Sequence, residues 1–111
     1  MNDLKLFQRL QRRDETALVE LGKKYQEGFV NWARPVYHFK EEILYDFFMD
    51  ALLDFYEKII AGKFENRDAV SVKNYLFTLF KNKLVNKVIQ SKTRKELQTK
   101  ADVASTNWLN N

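Results

Sequence analysis

A chain of 111 residues, 45% hydrophobic and 31% charged, with three Gly and one Pro, is sized for one helical core and excludes most two-domain enzyme architectures. The absence of Cys removes disulfides, thiolate zinc sites and cysteine nucleophiles, and the solitary His38 removes His-rich metal sites. The net charge of +4 is uneven, −2 over residues 1–62 and +6 beyond, so separate surfaces can attract partners of opposite sign, or the surplus serves only solubility.

Leu4, Phe7 and Leu10 are spaced three apart after Asn2 and Asp3, which predicts a short capped helix ending near Arg13. Asp14 is suited to cap a second helix with the apolar stripe Leu18, Leu21, Tyr25, Phe29 and Trp32. Pro35 should close it, because the residue before a proline avoids the α region. Gly28 inside this helix implies either close packing or a bend.

A third helix is expected from about Lys40 to Ala61. Glu42, Asp46, Asp50 and Asp54 recur every four residues as one acidic stripe, opposite Ile43, Phe47, Ala51, Phe55 and Ile59, with Leu44, Phe48 and Leu52 widening the apolar side. Like charges at that spacing oppose helix formation by a few tenths of a kcal/mol (~0.2–0.5) per pair, and only Lys58 offsets them. The stripe is therefore either solvated surface or a docking face for a basic partner.

Gly62 should end that helix, and residues 63–70 read as a loop carrying Phe64, the aromatic least expected in the helical layer. Ser71 then caps a last helix to about Leu97. Its first half, with Val72, Tyr75, Leu76, Phe77, Leu79 and Phe80, is apolar nearly all round and belongs to the core. Its second half is basic, with Lys83, Lys87 and Arg94 on one stripe and Lys81, Lys92 and Lys95 beyond Leu84 and Val88. That half is either a solvated face or a cationic track, and single-stranded nucleic acid binds by joining such tracks to stacking aromatics. Residues 1–97 are thus one all-α, four-helix domain, and residues 98–111 a polar tail or the start of a linker.

No apolar run is long enough to span a membrane, and Asp3, Lys5 and Arg9 argue against a signal peptide, so a cytoplasmic location is expected. Paired carboxylates such as Glu42 and Asp46 lack a partner His, a phosphate loop or a second acidic helix, so no enzymatic activity and no cofactor are expected. His38 beside Phe39 reads as a helix-start or packing residue.

The stretch Asp46-Phe47-Phe48-Met49-Asp50-Ala51-Leu52-Leu53-Asp54-Phe55-Tyr56 resembles the D-L-V-Q-E-x-F-x-x-A-W segment of region 2 in extracytoplasmic-function sigma factors of the sigma-70 family. Tyr75-Leu76-Phe77-Thr78-Leu79-Phe80-Lys81-Asn82, followed by Asn86, resembles that family's W-L-x-x-I-A-x-N-x-x-x-D segment. The resemblance covers about residues 3–96. It implies a domain that docks on the largest-subunit coiled coil of core RNA polymerase through Asp46, Met49, Asp50, Leu53 and Asp54. It also implies recognition and melting of the minus-10 promoter element, the single strand meeting Phe64, Glu65, Asn66, Arg67, Tyr75, Lys81, Asn82, Lys83, Asn86, Lys87, Gln90 and Arg94. An anti-sigma factor would be a further partner. Met49 stands where the family has Gln, and Phe80 where it has a small residue. The family's second helical domain, with its helix-turn-helix, has no counterpart after Leu97, so the chain reads either as an excised domain, which the polar tail favours, or as a protein lacking that half. The alternative is a helical adaptor or regulator that uses the acidic third helix without touching DNA.

Overall fold

The computed structural model describes residues 2–64 and 69–107, with side chains at 2–64 and 72–91. Four helices follow in order, α1 (Asp3–Gln11), α2 (Glu15–Val36), α3 (Glu41–Ile60) and α4 (Ala69–Asn107), and they form the all-α bundle that the periodicity predicts.

Local chemistry sets the helix ends. Asn2 Oδ1 accepts from the Lys5 amide at 2.9 Å, so Asn2 caps α1. The helix stops in a Schellman turn, with Arg13 N donating to Leu10 O at 2.9 Å, Asp14 N to Arg9 O at 3.0 Å, and Arg13 left-handed at φ 64°. Asp14 then caps α2, its Oδ1 accepting from the Thr16 amide at 3.1 Å. The same arrangement ends α3: Gly62 N donates to Ile59 O at 3.1 Å and Lys63 N to Lys58 O at 2.9 Å, with Gly62 at φ 70°.

Three expected features of the elements are corrected. Helix α2 passes through Pro35 and ends at Val36: proline's fixed φ is compatible with a helix, and its missing N–H forgoes one backbone bond, to the Asn31 carbonyl, one residue before the helix stops. Helix α4 begins at Ala69, so Ser71 lies inside the helix and does not cap it. It also continues past Leu97 to Asn107, through a stretch with no Gly or Pro to break it. At 39 residues, α4 accounts for the molecule's 61 Å long dimension.

The core is one cluster drawn from all four helices. Phe48, Phe55 and Phe80 are fully buried, together with Leu10, Leu21, Leu44, Leu76 and Leu84. Phe29 sits among them, 5.8 Å from the Phe48 ring and 6.0 Å from the Phe80 ring. The buried face of α3 is rotated from the expected stripe: Leu44 and Phe48 are fully buried whereas Ile43 and Phe47 are only partly so. In α1 it is Leu6 that enters the core and Leu4 that stays exposed. Close helix approach occurs at Gly22, where a Cβ would lie 2.9 Å from Leu52 Cδ2, whereas Gly28 is exposed with open space around it and no close packing.

Polar contacts fasten α1 to α2. Asp3, 4% exposed, accepts from Lys24 Nζ at 2.5 Å and from the Tyr25 hydroxyl. Burial first, then that hydrogen bond, push the Tyr25 phenol up. At the α1–α2 corner, Arg9 donates to Asp14 at 2.8 Å, to Glu20 at 2.8 Å and to Thr16 at 2.7 Å. The Thr16 hydroxyl, and after it the Arg9 guanidinium, lower the Asp14 carboxyl from 3.8 to about 2.

Two predictions follow from these geometries. Gly28→Ala should raise stability by about 1 kcal/mol, because it improves helix propensity in open space, while Gly62→Ala should lower it by about 1 kcal/mol through left-handed strain; urea denaturation measures both. For Asp14 the folded pKa lies below the unfolded value, so its contribution is complete above about pH 4 and fades as pH falls toward about 2. Asn preserves the cap, so Asp14→Asn should lower the melting temperature at neutral pH, and the gap from the parent chain should close on acidification in circular-dichroism melts.

Candidate functional site: an acidic and apolar face beside a basic one

Because α3 and α4 are joined by a short connection, they pack antiparallel. Phe55 meets Tyr75 at 5.7 Å near the connection, and Phe48 meets Phe80 at 6.0 Å further along. This pairing carries the N-terminal half of α3 beside the basic half of α4.

On the solvent side of α3, Asp46, Met49, Asp50 and Leu53 are all exposed, Met49 and Leu53 each at 47%. Toward α2, Met49 lines a mostly apolar groove of about 190 Å³ together with Leu18, Val19, Gly22, Phe48 and Leu52, and Lys23 and Gln26 are the polar members of its lining. Gly22, where a Cβ would meet Leu52 Cδ2 at 2.9 Å, lets α2 and α3 approach closely beside this groove. Neither the groove nor Gly22 was anticipated, because a glycine in a helix gives no sign of which neighbour it faces. The acidic stripe is not uniform. Asp54 accepts from Lys58 Nζ at 2.9 Å, a hydrogen bond that raises the Lys58 pKa, whereas Asp46 and Asp50 form no ion pair within 4.0 Å among the described residues.

Residues 72–91 of α4 contain four lysines and no acid. Lys81 and Asn82 are exposed, as are Asn86 and Gln90, while Lys83 and Lys87 are partly buried. Partial burial is expected where the aliphatic stems lie along a helix junction and the ammonium groups reach water. None of the four lysines forms an ion pair within 4.0 Å among the described residues.

The two charged faces are adjacent and not on opposite sides of the molecule. Phe47 and Asp50 of α3 line a second groove, also about 190 Å³, with Lys83, Asn86, Lys87 and Gln90 of α4. No ion pair within 4.0 Å joins the charges here among the described residues. The Phe47 wall is backed by Phe39, whose ring is 6.2 Å away and edge-on at 73°.

Phe64 departs from its expected place. Its ring stacks on Tyr75 at 4.3 Å, lies 5.5 Å from Phe55 and meets Phe7 edge-on at 5.6 Å, so it is partly buried against the core. A loop position says only that a residue has left the helix period, and a single large ring there is still drawn to apolar surface. Glu65, Asn66 and Arg67 lie outside the described residues, as does the side chain of Arg94. His38 is exposed in the α2–α3 connection. At the far end of α2, Trp32 is 4.7 Å from Phe77 and 5.9 Å from Tyr37, an aromatic cluster that is only partly covered.

Among the described residues no group of three or more His, Asp or Glu side chains could hold a metal ion, and no helix is long and apolar enough to cross a membrane. Comparison with protein-family models, with curated proteins and with solved structures finds no match.

The packing of Phe64 has a measurable consequence. Phe64→Ala should lower unfolding free energy by about 2 kcal/mol, less than a fully buried Phe would cost but well above a surface substitution, as read from the urea midpoint.

Proposed function

We propose that the chain acts as a sigma-type transcription initiation domain, docking on core RNA polymerase through α3 and holding unpaired strand of a minus-10 promoter element along the basic side of α4. In this reading it performs no chemistry of its own. The observation that carries it is the exposed pair Met49 and Leu53 on the same side of α3 as Asp46, whose carboxylate has no ion pair among the described residues, with Met49 also lining an apolar groove. A basic coiled coil offers the complement, apolar side chains for the groove and ammonium or guanidinium groups for the acids. Asp54, tied to Lys58, is a weaker contact, and Asp50 stands at the boundary with the basic face.

The nucleic-acid half draws support from Lys81, Lys83 and Lys87 of α4, which have no ion pair among the described residues, and from the similarity of Asn82 and Asn86 to the family's pattern. A second reading, a helical adaptor that never meets DNA, is favoured by the α2–α3 groove, because that surface would suit an amphipathic helix from any partner.

Affinity capture separates the two readings. The parent chain should retain core polymerase, and Leu53→Asp combined with Asp46→Lys should reduce retention at least tenfold while the circular-dichroism spectrum stays helical. Absence of polymerase from the parent capture, or capture unchanged in the double variant, would overturn the sigma-type reading.

A further inference from the structure

Helix α4 outruns the helix it packs against. Phe48 of α3 faces Phe80 and Phe55 faces Tyr75, and that antiparallel register, continued, sets Glu41 at the start of α3 opposite the turn from Lys87 to Ile89. Val88, Ile89 and Gln90 are all exposed, and three successive residues span more than one face of a helix, so α4 has left the bundle by this turn. It then runs on to Asn107, about 27 Å further at 1.5 Å per residue. A helix in water owes most of its stability to a covered apolar face, and this extension has no such cover within one copy of the bundle. The sequence supplies apolar residues for one: Val88 and Ile89 are 41% and 55% exposed, and Leu97 and Ala101 follow Ile89 at multiples of four.

Charge identifies the cover. Residues 81–107 hold seven basic side chains and two acidic ones, whereas α3 holds six carboxylates and one lysine, so the two stretches carry net charges of equal size and opposite sign. Two such extensions laid against each other would set lysine against lysine, while an extension laid along α3 sets ammonium against carboxylate. The apolar side matches as well. Val19 and Met49, exposed at 55% and 47%, flank the α2–α3 groove and leave room there for aliphatic side chains of a visiting helix. The extension cannot reach this face of its own bundle, because it points away from it and has no Gly or Pro between Lys81 and Asn107 at which to fold back. A second copy can bring its own extension there, and a two-fold axis satisfies both extensions and both faces at once.

We infer that the chain forms a two-fold dimer by exchange of these extensions, the distal part of α4 from each copy lying along α3 of the other, its basic residues on the α3 carboxylates and its apolar residues at the α2–α3 groove. The dimer covers Met49 and Asp46, so self-association and docking of another protein on that face exclude each other.

Sedimentation equilibrium of the intact chain tests this. The parent should dimerise with a dissociation constant of about 10 μM at low salt, and at least fivefold more weakly in 0.5 M NaCl, where the Debye length shrinks to about 4 Å. Ile89→Glu on the extension and Met49→Lys on the α3 face should each leave the chain monomeric at about 100 μM, with helical circular-dichroism spectra unchanged because both side chains are exposed. An equimolar mixture of the two variants should recover dimer, since one of its two contacts is intact and the other now sets a carboxylate against an ammonium. A parent that stays monomeric, an association indifferent to salt, or a mixture no more dimeric than its components overturns the exchange. Dimerisation that survives Met49→Lys points to pairing of the extensions with each other, and dimerisation that survives Ile89→Glu to pairing of the α3 faces, and either result overturns it too. No polymerase or nucleic acid is present in these measurements, so their failure leaves the proposed function to its own test.

Discussion

The burial of Phe48 against Phe80, with Phe29 closing over both, is the constraint on which the arrangement of the molecule depends. Three large rings from three helices leave few ways to fill the same volume, and at protein packing density a slip of one helical turn would open a cavity or force an overlap. Their seating holds α3 and α4 in axial register. Once Phe48 and Phe80 are in place, Phe47 and Asp50 must emerge beside Lys83 and Lys87, so the mixed-charge groove is an outward consequence of an apolar fit.

The smaller helix is secured differently. Helix α1 buries Leu6, Phe7 and Leu10, too little surface for nine residues to hold a position by propensity alone. Its two ends are therefore fastened to α2 by charge-assisted hydrogen bonds, Asp3 to Lys24 and Tyr25 at one end and Arg9 to Asp14, Thr16 and Glu20 at the other. The Asp3 contact is buried and depends on both donors, because a carboxylate left there without them would carry a desolvation cost of several kcal/mol (~3–5). The Arg9 cluster is more exposed, so its main effect is to hold the angle between the helices.

What remains on the outside is divided by these internal commitments. Asp54 and Glu41 are engaged in ion pairs, whereas Asp46 has none among the described residues. Exposed Met49 and Leu53 beside Asp46 make a surface whose apolar part gains by being covered and whose charged part directs what covers it. Residues 72–91 of α4 carry lysines and no acid, and Asp50 is the carboxylate of α3 that lines the groove beside them. Protein docking and strand binding would therefore share a border at Asp50.

Much of this architecture was legible in the sequence: four helices, the caps at Asn2 and Asp14, the glycine stop at Gly62, and the core membership of Phe48, Phe55, Leu76 and Phe80 all follow from side-chain period and local hydrogen-bonding chemistry. The burial of Asp3, the packing of Phe64, the close approach at Gly22 and the meeting of Asp50 with Lys83 and Lys87 do not. Spacing along one chain specifies which residues share a face of their own helix. It carries no information on the rotation and axial register of that helix against another, which are set by how bulky side chains interlock, and only the tertiary structure decides those.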